Sequence, residues 1–538
     1  MFPALKKFSL RVIIPSVSLV IIANLLLSEP YKSNPEARVE AALASGNNTA
    51  AKAEYRKLLQ DDFFNVEYHI GYIRSHVRQH GERSDLKSQG NQDIIEGYRR
   101  YAASTNLNVS DIGYYGLGYF YSLREDYERA LENFQQVKNT QLPRLNNSLG
   151  SVYRRMGRLD LAKQYLDREI QLGGNVAGTY WNLAQLYYAT KQYSKLEGIA
   201  GGPETKNFVP TEIRRSLALR ETRYVDYMRE ALAFRGATAY GLLGAVLTLG
   251  VWFVYLQWID GLKPKRLRYS GIILAGGMIF SCFSAPLYDA FAVGLHPDGR
   301  YQKDLLYYIF VVGLIEETLK VLPVLLVLWL TRAIDQPVDY FIYGSVSALG
   351  FAFMENLLPG AAWRPGAIST RALGSVILHM TETSLIMYGL FYSRYRVKKK
   401  PLRYFLLTFG SACVLHGFFD FSAAKSWAVL SFLIMIYCIR QYGIFINGAL
   451  NLSERNPDWP KRQFQLTEYL CYSLAAIIML QYVVSAVTYG PGNANSAFRW
   501  TAFFSYFWLC VILVNLGSFD IRKRQWLPLL RRRATAEI

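Results

Sequence analysis

Eight ionisable side chains fall inside four apolar stretches between residues 305 and 422. Glu316, Glu317 and Lys320 interrupt VGLIEETLKVLPVL (312–325), and Glu355, followed by Asn356, lies near the end of the next stretch. His379 and Glu382 lie in the third stretch, and His416 and Asp420 in the fourth. A charge in hydrocarbon is costly, so such groups face a cavity or one another. Adjacent carboxylates add mutual repulsion. Hydrolysis suits this set of residues. A desolvated carboxylate can take a proton from water. An imidazole can position that water or stabilise the oxyanion, and Asn356 offers a further donor. The same residue types could instead hold Zn²⁺ with a position left open for water. Glu316, Glu355, His379 and His416 are then the candidate ligands. HExxH and GxSxG are both absent, and Cys413 stands one helical turn from His416 without an activating arrangement. Bland readings stand beside these. Lys320 can simply neutralise a glutamate, Glu382 can hydrogen-bond a neighbouring helix, and Asp420 can be an interfacial residue. A proton relay in a transporter uses the same residue types.

These side chains need helices to position them. Glu316 and Lys320 are four residues apart and share a helix face, as do His416 and Asp420. At ~1.5 Å per residue, Glu316, His379 and His416 lie ~16, ~14 and ~8 Å from their nearer expected boundaries. Four helices can thus converge on one polar pocket.

The whole chain has the composition of a membrane protein. It holds 538 residues, 51% of them hydrophobic and 15% aromatic. Runs of about 20 apolar residues suit membrane spans. They are read near 237–259, 270–290, 305–330, 338–358, 370–392, 403–422, 427–446, 467–488 and 498–517. The first 29 residues read as a cytoplasmic start and an uncleaved signal anchor, giving about ten spans. The net charge of +19 does not indicate nucleic acid, because KPKRLR (263–268), SRYRVKKKPLR (393–403) and RKRQWLPLLRRR (522–533) each lie beside an apolar run. That is the pattern of cytoplasmic loops. It places both termini in the cytoplasm and residues 30–235 outside. The five cysteines all fall in expected spans and form no CxxC, which argues against a disulfide framework or a cysteine zinc site.

Residues 30–235 change character, becoming polar and tyrosine-rich, and they repeat. Gly118, Gly150 and Ala184 recur at intervals of 32 and 34, with Tyr121, Tyr153 and Tyr187 three residues after each. Ala130 and Ala162 mark a second helix in two of the units, and residues 36–67 hold a degenerate earlier unit. The pattern resembles the tetratricopeptide repeat (TPR), a helical solenoid that binds a protein partner.

Four blocks in order carry a second resemblance. EETLK (316–320), DYFIYGSVSALGFAFMEN (339–356), RALGSVILHMTETSLIMYG (371–389) and LHGFFDF (415–421) are similar to the conserved blocks of the PrsW family of intramembrane proteases, relatives of the CAAX prenyl protease and Abi group. After Asn356 the chain departs from the family, continuing Leu357, Leu358 and Pro359 where an aromatic residue is usual. The resemblance implies a bacterial inner-membrane endopeptidase acting on membrane-anchored proteins such as anti-sigma factors. It makes Glu316 the candidate general base, with Glu317 supporting it. Glu355, His379, His416 and Asp420 complete the catalytic set, and Lys320 and Asn356 support it. The mechanism is left between glutamate-activated water and zinc. The expected architecture is all-α. A TPR-like solenoid (30–235) precedes a protease core (236–450) and further spans with a basic tail (451–538). A catalytically inactive scaffold and a proton-coupled transporter are the alternatives.

Overall fold

The structure, a computed structural model, describes residues 9–28, 33–81, 86, 88–174, 176–232, 239–291, 300–357, 367–398, 401–454, 459–522 and 524–526. The expected cytoplasmic start (1–8), the domain boundary near 235, Leu358, Pro359, Lys399, Lys400 and most of the basic tail lie outside these residues. Every regular element among them is helical. The chain divides into two compact units: Met1–Leu27 with Ala231–Val487 and Ala494–Ile538, and Ser28–Glu230 with Thr488–Asn493.

The smaller unit is a series of antiparallel helix pairs. Leu107–Leu123 pairs with Tyr127–Phe134, Leu145–Arg155 with Leu159–Gln171, and Val176–Ala189 with Tyr193–Gly201. The repeat positions explain the pairing. A Cβ on Gly118 would stand 2.6 Å from the Phe134 ring, and one on Gly150 2.6 Å from Leu166, so only glycine permits these approaches. Ala130 and Ala162 are fully buried, and Tyr121, Tyr153 and Tyr187 fill the grooves between helices. Asparagine and aspartate caps start several of the helices. Asn106 accepts from the backbone N–H groups of Asn108 and Val109, and Asp126 from that of Arg129. The expected degenerate unit is the helix pair Pro35–Ala44 and Asn48–Asp61.

The larger unit is a bundle of apolar helices. Among the described residues, four are long and apolar enough to cross a membrane: Gly241–Trp258, Pro401–Ala424, Ala428–Leu452 and Gln465–Tyr489. Two bent pairs, Pro264–Ser281 with Ser284–Phe291 and Pro491–Arg499 with Thr501–Leu516, raise the number to six. The expectation of ten spans is therefore not recovered by length and composition. The reason is physical. Leu314–Leu330, Asp339–Glu355 and Val376–Tyr392 have 17 residues each, and two of them continue from π-helical turns at Tyr308–Gly313 and Arg371–Ser375. All three also carry the charged residues of interest. They are buried as the centre of the bundle, where Phe341, Tyr343, Ile377 and Tyr442 form part of one continuous core.

Two kinds of contact fix these central helices. At glycines the backbones meet: a Cβ on Gly417 would lie 2.5 Å from Ile309 Cα, and one on Gly313 would lie 2.5 Å from the Cys413 carbonyl. The π-helical turn that leads into the Glu316 helix thus seats directly on the His416 helix. Away from the glutamates, a buried ion cluster joins Pro264–Ser281 to Asp339–Glu355. Arg266 donates to Asp339 at 2.6 Å and to Asp260 at 2.9 Å. Asp339 also accepts from the backbone N–H groups of Asp335 and Gln336, so all its charge is satisfied inside the protein.

Candidate active site

Leu314–Leu330, Asp339–Glu355, Val376–Tyr392 and Pro401–Ala424 bring Glu316, Glu317, Lys320, Glu355, His379, Glu382, His416 and Asp420 into one cluster. Its floor is fully enclosed: Glu317, Lys320 and Glu382 have no exposed surface. Its mouth is formed by Glu355 and Asp420, whose side chains are 39% and 33% exposed.

Lys320 is the hub. Its ammonium donates to Glu317 Oε1 at 2.8 Å and to His379 Nδ1 at 2.7 Å. It also lies 3.2 Å from Glu316 Oε2, 3.3 Å from His416 Nδ1 and 4.9 Å from the centre of the Phe351 ring. An ammonium has no lone pair, so His379 Nδ1 must be the acceptor and the ring proton sits on Nε2. Nε2 lies 3.0 Å from Glu355 Oε2, close enough for an ion pair but without hydrogen-bond geometry. His416 has the opposite arrangement. Its Nδ1 donates to Glu317 Oε1 at 2.9 Å and Glu382 Oε2 at 3.0 Å. Its Nε2 faces Asp420 Oδ2 at 3.3 Å and Glu316 Oε2 at 3.5 Å. The two imidazoles are thus held in different roles, one a donor toward the mouth and one turned toward two carboxylate oxygens.

The expected supporting residue Asn356 is placed beside the cluster, where its Oδ1 accepts from the Arg371 guanidinium. Two contributors carry no signal in the sequence. Tyr288 donates its phenolic hydrogen to Glu316 Oε1, and the Ser347 hydroxyl donates to the Lys320 carbonyl. Ser347 lies in an apolar run with no charged neighbour, and the Asp289 beside Tyr288 does not mark the tyrosine itself. Glu382 was expected to hydrogen-bond a neighbouring helix; its partner there is His416.

Oxygen and nitrogen donors of this kind suit a divalent cation such as zinc. Ligand atoms of Glu316, His379 and His416 lie within 4.8 Å of one another, as do those of Glu317, Glu382 and His416. The Lys320 ammonium lies against both sets, 2.8 Å from Glu317, 3.2 Å from Glu316 and 2.7 Å from His379, so a cation at either would meet like-charge repulsion from it. Glu316 Oε2 is buried without a hydrogen-bond partner. The separations of 3.5 Å and 3.3 Å from His416 Nε2 to Glu316 and Asp420 match the ~3.4 Å between ligands of a tetrahedral zinc with bonds of about 2.0–2.1 Å. Glu316 and His416 therefore stand at a spacing that suits a metal, and His379 is the third donor within reach of both. His379 fits one only by giving up its hydrogen bond with Lys320.

A polytopic helical bundle with buried glutamates, histidines and an aspartate at its centre has the make-up of a membrane-embedded hydrolase. Residues 264–445 match the family described as PrsW family intramembrane metalloprotease, and residues 143–172 match the tetratricopeptide repeat. Over 148 residues the chain is 31% identical to Protease PrsW of Clostridioides difficile, covering 25% of this chain and 60% of that protein. Over 129 residues it is 26% identical to Protease PrsW of Bacillus subtilis, covering 23% of this chain and 59% of that protein. It is also similar to Type IV pilus assembly protein PilF of Pseudomonas aeruginosa, 26% identical over 155 residues, which are 28% of this chain and 57% of that protein. The chain thus spans about three fifths of the length of these curated relatives. No solved structure matches it significantly. The chain carries a PrsW-family domain in its C-terminal region and a TPR-like region before it.

Proposed function

We propose that the chain is an intramembrane endopeptidase that hydrolyses peptide bonds of membrane-anchored proteins. The observation that carries this reading is the meeting of Glu316, His416 and Asp420 in one cluster whose negative charge Lys320 offsets. Glu316 Oε2 is a buried carboxylate oxygen with no hydrogen bond of its own, as a general base requires. Glu316 takes a proton from water, and the resulting hydroxide adds to the scissile carbonyl. His379 Nε2–H and Asn356 are the donors nearest the mouth for the developing oxyanion. Glu317 and Glu382 hold His416 in orientation. A bound metal, held by Glu316, His379 and His416, would supply Lewis-acid polarisation of the water or carbonyl at the same place.

The repeats at 30–235 recruit the substrate or a partner protein. The curated PrsW relatives carry the printed name of protease, and the match to a pilus assembly protein falls on a different class, which fits an added recruiting module. Residues 236–450 serve as the protease core and 451–538 as additional helices with a basic tail. By the distribution of basic residues the chain lies in a bacterial inner membrane, termini in the cytoplasm and repeats outside. A reporter fused after Lys191 should report an extracytoplasmic position; a cytoplasmic signal would invert this arrangement. The catalytic test compares membrane proteomes of wild type and Glu316→Gln. Fragments of single-span proteins should be present in the first and absent in the second, and equal patterns would remove the proteolytic reading. The inactive-scaffold alternative predicts that equality.

A further inference from the structure

The two oxygens of Glu316 have unlike surroundings. Oε1 accepts a hydrogen bond from the Tyr288 phenol. Oε2 is buried without a hydrogen-bond partner, 3.2 Å from the Lys320 ammonium and 3.5 Å from His416 Nε2. A carboxylate free to rotate would exchange these oxygens, and a donor fixed on one of them prevents it. Tyr288 is well supported for that task. It belongs to Ser284–Phe291, a helix turned by 42° from Pro264–Ser281. With Phe280, Leu287 and Tyr307 it packs against the apolar cluster of Val311, Ile315, Leu319 and Phe351. A phenol is also a neutral donor, which adds no charge to a site already rich in carboxylates.

We propose that Tyr288 is a positioning residue for Glu316: its hydroxyl holds Oε1, so that Oε2 takes the proton of the attacking water. The inference rests on the proteolytic reading of the site. One water O–H bond breaks and its proton passes to Oε2. The hydroxide oxygen bonds to the carbonyl carbon, and the carbonyl π pair moves to oxygen. Tyr288 keeps its own proton throughout.

Tyr288→Phe deletes the hydroxyl and keeps the ring that packs on Val311 and Phe351. The full-length protein in lipid vesicles, with a co-reconstituted single-span substrate, should lose about 10- to 100-fold in kcat on this change, as expected when a reacting group is misplaced. KM should stay within about twofold, because ground-state binding does not involve the hydroxyl. A 3-fluorotyrosine at 288 retains the donor and should retain kcat. A purely structural role would instead lower the folded yield and leave kcat of the folded fraction unchanged, which would overturn the proposal. A second measurement needs no substrate. Dicyclohexylcarbodiimide modifies buried carboxyl groups, and mass spectrometry locates the adduct. Freeing Oε1 in Tyr288→Phe should raise labelling of Glu316 several-fold; unchanged labelling would mean that the hydrogen bond does not hold the carboxylate. Cleavage absent from wild type and Glu316→Gln alike would overturn the proteolytic reading, and the role built on it. Labelling separates that failure from failure of the Tyr288 contact itself.

Discussion

Glu317, Lys320 and Glu382 are fully buried, so their charges must be compensated within the protein. Lys320 supplies the ammonium that separates the carboxylates from one another. Removing one partner of a buried ion pair costs about 3–5 kcal/mol, because the other charge is left uncompensated. Lys320→Met should therefore lower the melting temperature and folded yield of detergent-extracted protein. Adding Glu317→Gln to Lys320→Met should recover part of that loss, since it removes the stranded carboxylate. A Lys320→Met chain as thermostable as wild type would exclude the ammonium as the centre of the cluster. Much of this cluster was legible in the sequence. Charges in an apolar run stand out, and the four-residue spacing of Glu316 with Lys320 and of His416 with Asp420 predicts shared helix faces. Tyr288 was not legible, because a tyrosine among apolar residues carries no spacing signal. The opposite orientations of His379 and His416 were not legible either. They depend on which nitrogen meets Lys320, a fact of three-dimensional packing across helices.

The helices position these groups through close backbone contacts, and there the tolerance for change is small. A side chain at Gly417 would meet the Ile309 backbone, which cannot rotate away as a side chain could. Gly417→Val is expected to push the π-helical turn Tyr308–Gly313 off the His416 helix. Overpacking of this kind costs typically about 1–3 kcal/mol, and here it also moves Glu316 relative to His416. The variant should keep most of its folded yield and lose most of its cleavage activity; wild-type turnover would show that this seam does not set the site. The spans themselves were only partly legible. Their apolar runs were found at the right places, and the helices Gly241–Trp258 and Ala428–Leu452 satisfy a simple test of length and hydropathy. The central helices fail that test for the reason they matter. They carry the ionisable residues, and two of them are shortened by π-helical turns, whose extra residue per turn no hydrophobic period reveals.

At the scale of the whole molecule, the repeat unit holds buried histidines whose titration bears on its stability. The repeat period was legible because small residues recur where helices touch, whereas the buried histidines of the preceding helix pair had no such signature. His69 is held by Tyr98 at 2.8 Å and by the Phe63 carbonyl at 2.7 Å, and His76 accepts from Lys52 at 2.8 Å. Burial pushes both imidazoles down to about 4, helped at His76 by the positive charge of Lys52. The unfolded chain, with histidines near 6.5, then binds more protons than the folded unit below that pH. Stability is full above pH 6.5 and declines as the pH falls toward 4. His69 alone contributes roughly 3 kcal/mol of that decline at its limit, and His76 contributes less because it is less fully enclosed. Hydrogen exchange on the full-length protein, corrected for the intrinsic pH dependence of exchange, should show protection over residues 66–102 falling between pH 7 and pH 5. His69→Gln, which removes one titrating group, should be less protected at pH 7 and show a flatter dependence. Equal protection factors at the two pH values in wild type would mean that protonation of these histidines does not reach the packing of the repeats.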